Sequence, residues 1–283
     1  MICFRNMRIK LIISWCLFIL HSTSSFSQNT SDLICFNHSL LVVDSTTYEA
    51  AIHSEFIAKF AYSHEKKLIG YEGFYLIGKT NYIEIFHENS FQGEKLNPGD
   101  IWVCTASLQA NYIKTLDKLA PPSIQYKENE NYNLLSIILE DSIVPLTTWE
   151  MTKKQYESWT KKEYHDSVSF LPVDYNSLEE SDSASNYLMN DVEGLRLSLQ
   201  KKDSLVIANY LNQIGFVKRT THDEYTRFYN GDQFIELHFK EKDIVPTINR
   251  FYIKLNQYTD PTTEIIGNSR IECNGLSAIW IFD

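Results

Sequence analysis

The feature that most constrains the fold is an internal echo. Tyr82-Ile83-Glu84-Ile85 and Phe234-Ile235-Glu236-Leu237 share the order aromatic, isoleucine, acid, aliphatic. Alternation of this kind marks strands, in which residues two apart face the same side. Ile83 and Ile85 then pack beneath a helix, while Tyr82, Glu84 and Phe86 face whatever the sheet encloses. Phe234, Glu236 and His238 alternate in the same way with Ile235, Leu237 and Phe239. Each echo closes a run that reads β-α-β-β-β, so the repeat is a folding unit and not a short solenoid period.

The first run takes residues 35–44 as a strand. Thr46 and Glu49 then form a capping box for a helix carrying Ile52, Phe56 and Phe60. Strands over 71–77 and 81–87 follow, with room for one more around Lys66. The pattern restarts at 100–106, where Ser107 is placed to cap a helix that Pro121-Pro122 ends. Strands near Ile124, 134–139 and 147–152 complete it. A third start at 194–199 leads to a helix capped by Asp203 or Ser204 and stopped at Gly215. Strands at 216–220, 225–229 and 233–239 come next, and the tail reads as a truncated fourth unit. The expected fold class is α+β, built from repeated βαβββ modules. Residues 34–163 form a first domain of two modules, 164–189 a polar linker, and 190–283 a second, less complete domain.

Arg5, Arg8 and Lys10 precede a ten-residue apolar stretch, and Ser25-Phe26-Ser27 follows. These are the parts of a cleavable signal peptide over residues 1–27, which predicts export to the periplasm or beyond. No later stretch is long and apolar enough to span a membrane. The net charge is −10. Removing the first 27 residues, which hold three bases and no acid, leaves 23 bases against 36 acids, or −13. A polyanion is repelled by such a surface, so nucleic acid is a poor partner. Cys35, Cys104 and Cys273 remain, without metal-ligand spacing. Either Cys35 bridges Cys104 or all three pack as buried thiols. Asn29-Thr30-Ser31 and Asn37-His38-Ser39 match the glycosylation sequon.

The strand ending Asn37-His38-Ser39-Leu40-Leu41-Val42-Val43-Asp44, followed by Gly73-Phe74-Tyr75-Leu76 and Tyr82-Ile83-Glu84-Ile85-Phe86, resembles the glyoxalase-like or vicinal oxygen chelate superfamily. Leu211-Asn212-Gln213-Ile214-Gly215-Phe216 is similar to its helix-to-strand junction. Pro145-Leu146-Thr147-Thr148-Trp149-Glu150-Met151 is similar to a segment of an uncharacterised secreted bacterial branch. The resemblance implies paired modules that curl into two half-open barrels, each around a pocket. In metal-dependent members one ligand comes from the first strand and one acid from the last strand of a module. Carried over, His38, Glu84 and Glu150 are the metal candidates and Glu236 is a last-strand acid. The strand Ile101-Trp102-Val103-Cys104 departs from this pattern, with no His, Glu or Gln, and Gly194 stands where a ligand belongs.

The residues leave three functions open. One is a binding protein for a small ligand in a β-sheet pocket, drawing on Tyr82, Phe86, Arg196, Glu236 and His238. Another is a divalent-metal-dependent lyase or oxygenase using His38 and Glu84, which must then converge. The third is an envelope structural or interaction protein with a collapsed pocket. Arg196 either bridges Glu236 or, with Tyr252 and Lys254, holds an anion. Glu150 is expected to face solvent, and the remaining histidines are expected on the surface. No phosphate-cradling glycine loop, G-x-S-x-G, H-E-x-x-H or paired C-x-x-C occurs. Oligomeric state is not written in the sequence.

Overall fold

The computed structural model describes residues 33–109, 111–117, 124–138, 143–161, 163, 186–222, 224–241 and 244–282. The expected signal peptide, the sequon at Asn29 and most of the expected linker lie outside them. The fold is α+β, with two mixed sheets, few helices and no closed barrel among the described residues. The first sheet contains β1 (Ile34–Val42), β2 (Tyr62–Leu68), β3 (Tyr71–Ile77), β4 (Tyr82–Phe86), β5 (Ile101–Ser107), β6 (Ile124–Glu128), β7 (Tyr132–Ile138) and β8 (Ile143–Met151). Their order is β2-β3-β4-β1-β5-β8-β7-β6. The second contains β9 (Met189–Gln200), β10 (Val217–Thr221), β11 (Thr226–Asn230), β12 (Gln233–Lys240), β13 (Thr247–Ile266) and β14 (Ser269–Phe282), in the order β10-β11-β12-β9-β13-β14.

Three strand pairs are parallel: β1 with β4, β5 with β8, and β9 with β12. A parallel pair needs a crossover, and helices supply it. These are α1 (Ser45–Ile52) and α2 (Glu55–Phe60) after β1, and α3 (Tyr112–Asp117) after β5. Following β8 is α4 (Lys153–Thr160), which the hydrophobic pattern did not announce, and following β9 is α5 (Ser204–Gln213). The cap of α1 is Asp44, not Thr46. Its carboxylate accepts Thr47 N at 3.0 Å and Thr47 Oγ1 at 2.7 Å, satisfying an end amide two residues earlier than expected. Ser107 does not cap α3; its hydroxyl stays within its own turn, bonding Gln109.

In place of a fourth module stands one long hairpin, β13–β14. Gly267 turns it at φ +58, where a Cβ would lie 2.4 Å from Thr47 Cα. Only glycine combines that backbone with so close an approach. The adjacent Asn268 N donates to Thr47 Oγ1 at 3.0 Å.

The described residues belong to one compact unit, and a single hydrophobic cluster runs through both sheets from Ile34 to Trp280. Polar side chains join the sheets in reciprocal fashion. Asn81 exchanges two hydrogen bonds with the Val192 backbone, at 2.8 and 3.0 Å. From the other sheet, Gln233 accepts Phe36 N at 2.6 Å and Asn230 donates to Ile34 O at 2.6 Å. Tyr210 OH, on α5, reaches Thr148 Oγ1 at 2.6 Å and Leu135 O at 3.0 Å. The Cys35–Cys104 bridge is not formed, and all three described cysteines are free. In the β1–β5 ladder Cys35 faces Ala106 and Cys104 faces His38, so the register keeps the two thiols apart.

Candidate functional site

A cavity of about 270 Å³ lies on the concave face of the first sheet, lined by His38, Leu40, Glu84, Trp102, Cys104, Tyr132, Leu134 and Trp149. Alternation explains the membership. His38 and Leu40 share one side of β1, Trp102 and Cys104 of β5, and Tyr132 and Leu134 of β7. In register, Cys104 stands opposite His38, Trp102 opposite Leu40, and Leu134 opposite Trp149. Trp102 is 43% and Tyr132 39% exposed, so the cavity opens to solvent between them. The exposed Leu68–Ile69 corner lies outside this cavity, and the exposed Leu205 lines a separate one of about 480 Å³ on the second sheet's helix side.

His38 is fixed by a β-bulge. The β1–β5 register shifts between Phe36 and His38, leaving Asn37 as the extra residue. Asn37 Oδ1 accepts Trp149 Nε1 at 3.1 Å and lies 2.6 Å from His38 Nδ1. Because indole N–H only donates, that atom is the amide oxygen, and His38 carries its proton on Nδ1. Tyr82 stacks on the imidazole at 4.8 Å. Burial pushes the His38 pKa down to about 3, so the ring is neutral at ordinary pH. Burial pushes Glu84 up to about 7, against the pull of Lys66 and a hydrogen bond from Tyr82. Cys104 is pushed up to about 12 by burial and shares Thr147 Oγ1 at 3.1 Å, leaving an inert thiol.

His38 and Glu84 thus line one cavity, but no ion pair joins them among the described residues. His38 stands opposite Tyr82 and Glu84 opposite Leu40, so the two are diagonal neighbours. Tyr82 meets the site through the His38 ring and not the cavity wall. Phe86 is fully buried against Tyr71, Tyr75 and Phe91 and does not line the cavity. Glu150 is neither solvent-facing nor near the other two. It is 2% exposed, and its carboxylate accepts Asn111 N at 2.8 Å, Ile113 N at 3.1 Å and Asn133 Nδ2 at 3.3 Å. The preceding residue, Trp149, holds the cavity-facing position on β8, so alternation turns Glu150 to the helix side.

On the second sheet Glu236 is wholly buried. Arg196 Nε and Arg227 Nε, the latter at 2.5 Å, both donate to it, and Tyr252 OH lies 3.4 Å away. The Arg227 guanidinium lies over the Phe234 ring at 4.7 Å and Tyr252 at 5.5 Å. The Arg196–Glu236 bridge is therefore present. Arg227, which the sequence did not single out, is its second arm, while Lys254 is exposed. His238 is half-buried beyond this cluster, its pKa lowered by partial burial and by Lys240 and Arg196. Of the other histidines, His64 stacks on Tyr75 at 5.3 Å and His87 packs on Tyr48 at 4.7 Å, both half-buried and not on the surface. His53 and His222 are exposed; His21 and His165 lie outside the described residues.

A divalent ion does not fit this donor set. Among the described residues no group of three His, Cys, Asp or Glu is arranged to hold one. Leu40, Trp102 and Trp149 occupy the places around His38 and Glu84 where further ligands would have to stand. Trp102 and Trp149 fell on expected strands, whereas Tyr132 lay two residues before the strand expected at 134–139, and the three were not singled out as a set.

A family described as a family of unknown function (DUF5829) matches residues 36–282. No curated protein matches the sequence. Among solved structures, a hypothetical protein from Staphylococcus aureus aligns with a TM-score of 0.50 at 14% identity, covering 84% of this chain and 97% of that one. That is a likeness of fold. A xylose isomerase-like TIM barrel/4-hydroxyphenylpyruvate dioxygenase fusion protein aligns at a TM-score of 0.43 and 11% identity, over 74% of this chain and 33% of that one.

Proposed function

We propose that this chain, which belongs to the DUF5829 family, binds a small organic ligand on the concave face of its first sheet. The observation that carries the reading is the open cavity of about 270 Å³, walled by two indoles, a phenol and two leucines around His38 and Glu84. Ligand sites are typically concave and mostly apolar, with few well-placed polar groups. Neutral His38, holding its proton on Nδ1, keeps Nε2 as an acceptor. Glu84 switches between donor and acceptor near neutral pH. The pair orients a ligand; without a third donor or an activated nucleophile, the site has no evident catalytic step.

The architecture behind this reading is glyoxalase-like: the runs beginning at β1, β5 and β9 are taken as copies of one βαβββ unit, in domains 34–163 and 190–283. Support comes from the parallel pairing of first and last strand in each run. Further support comes from the reciprocal contacts of Asn81 with Val192 and of Gln233 with Phe36. Export of the chain, after removal of residues 1–27, belongs to the same proposal and rests on the N-terminal sequence.

Ligand-observed NMR with a panel of small neutral, cationic and anionic organic compounds tests the binding reading. Compounds should bind the parent and lose binding in Trp149→Leu. If no panel member binds, or if binding survives that substitution, the pocket is not the site.

A further inference from the structure

The two sheets treat corresponding acids in opposite ways. In the parallel β9–β12 pair, Arg196 stands directly opposite Glu236, and on the other side β11 presents Arg227. In the β1–β4 pair, Leu40 stands opposite Glu84, and on the other side β3 presents Tyr75. Glu236 thus has two guanidinium partners within its own sheet. Glu84 has no ion-pair partner among the described residues. The positive charge that acts on it is Lys66, exposed and two strands away on β2.

An ionised carboxylate held in an apolar cavity without a counter-charge is costly. Beside His38, Leu40, Cys104 and Leu134, the cavity's wall holds Trp102, Trp149 and Tyr132, rings of the kind whose faces attract cations. His38 beside it is neutral and opposes no positive guest. We infer that the cavity takes a small organic cation of the alkylated-ammonium class, with Glu84 as its counter-ion and Trp102, Trp149 and Tyr132 as an aromatic wall. The inference rests on the ligand-pocket reading and adds the charge and class of the guest. An alkylated ammonium suits the site better than a metal ion because its methyl groups bury against indole and leucine without demanding further oxygen or nitrogen donors. The cavity volume of about 270 Å³ bounds the guest to a compact molecule.

The geometry also sets a pH dependence. The groups facing Glu84 are His38 on β1, Lys66 on β2, Tyr71 and Tyr75 on β3, Tyr82 on its own strand and Cys104 on β5. His38 at about 3 and Cys104 at about 12 stay neutral through the range in which Glu84, at about 7, changes charge. Cation binding should therefore strengthen as pH rises through 7 and level off above it.

Choline and its uncharged isostere 3,3-dimethylbutan-1-ol separate the possibilities, titrated into the full chain by isothermal calorimetry and tryptophan fluorescence at pH 6 and 8. Expected is choline binding that is stronger at pH 8 and about tenfold or more weaker in Glu84→Gln, with the isostere bound far more weakly. Leu40→Arg, which supplies the internal partner that Glu236 already has, should abolish choline binding while preserving cooperative unfolding. Equal binding of both compounds, or choline binding unchanged in Glu84→Gln, overturns the cation inference but leaves a ligand pocket standing. Choline that fails to bind while neutral panel compounds do has the same meaning. If neither choline nor any panel compound binds, the pocket reading falls with it.

Discussion

The Glu150 carboxylate accepts the backbone N–H of Ile113 at 3.1 Å, so strand β8 caps helix α3 across the sheet. A helix start leaves its first amides without partners. Here they are satisfied by a buried acid 37 residues along the chain, and Ser107, the local candidate, is not used. Asn111 N, at 2.8 Å, is the second amide it holds.

Glu150→Ala should destabilise the protein by about 1–3 kcal/mol, the cost of leaving such donors buried and unpaired. Glu150→Gln should recover part of that loss. Urea unfolding of the three proteins checks this, and equal midpoints for parent and Glu150→Ala would remove the cap from the account.

Stability should respond to pH through His38 and Glu84 in opposite senses. For Glu84 the folded pKa, about 7, lies above the ordinary carboxyl value of 4.5, so its contribution is full below 4.5 and lost as pH rises through 7. For His38 the folded value, about 3, lies below 6.5, so its contribution is full above 6.5 and lost as pH falls toward 3. The two oppose each other between 4.5 and 6.5. Glu84→Gln should therefore gain stability relative to the parent as pH rises from 4.5 to 7. Denaturation midpoints that run parallel across that range would contradict the burial of Glu84.

Glu236→Leu should cost about 3–5 kcal/mol, because it strands two guanidinium groups that are only 17% and 27% exposed around a wholly buried carboxylate. Arg196→Leu should cost less, since Arg227 remains to neutralise the acid. Thermal or urea unfolding orders the pair, and the reverse order would show that Arg196 is the dominant partner.

Gly194→Ala should destabilise by about 1–3 kcal/mol through overpacking. Its Cβ would lie 2.6 Å from the Phe234 ring. Combining it with Phe234→Leu should recover most of the loss in a double-mutant cycle. An additive pair would mean that the ring is not the obstacle. The same contact explains why this strand carries no counterpart of His38: the Phe234 ring already covers the position.

Some boundaries matched those read from alternation and turn residues, as at β3 over Tyr71–Ile77 and β12 over Gln233–Lys240, whereas β13 runs over Thr247–Ile266, well beyond the strand expected at 250–255. Those signals are local, because a strand's two faces are written in successive residues. Two of the failures had their cause at a distance. The cap of α3 comes from β8, and Glu150 points away from the cavity because Trp149 has taken the cavity-facing place.

By itself, the sequence determined that Glu84 and Glu236 each sit on the aromatic-flanked face of a strand, since neighbouring residues impose that alternation. Whether each acid meets a counter-charge was decided only by tertiary structure. Strand pairing sets Leu40 and Tyr75 beside Glu84, but Arg196 and Arg227 beside Glu236. Register joins residues dozens of positions apart, and electrostatic environment follows from those neighbours in space. One acid is thereby locked in a buried ion cluster, and the other is left at the wall of an open cavity.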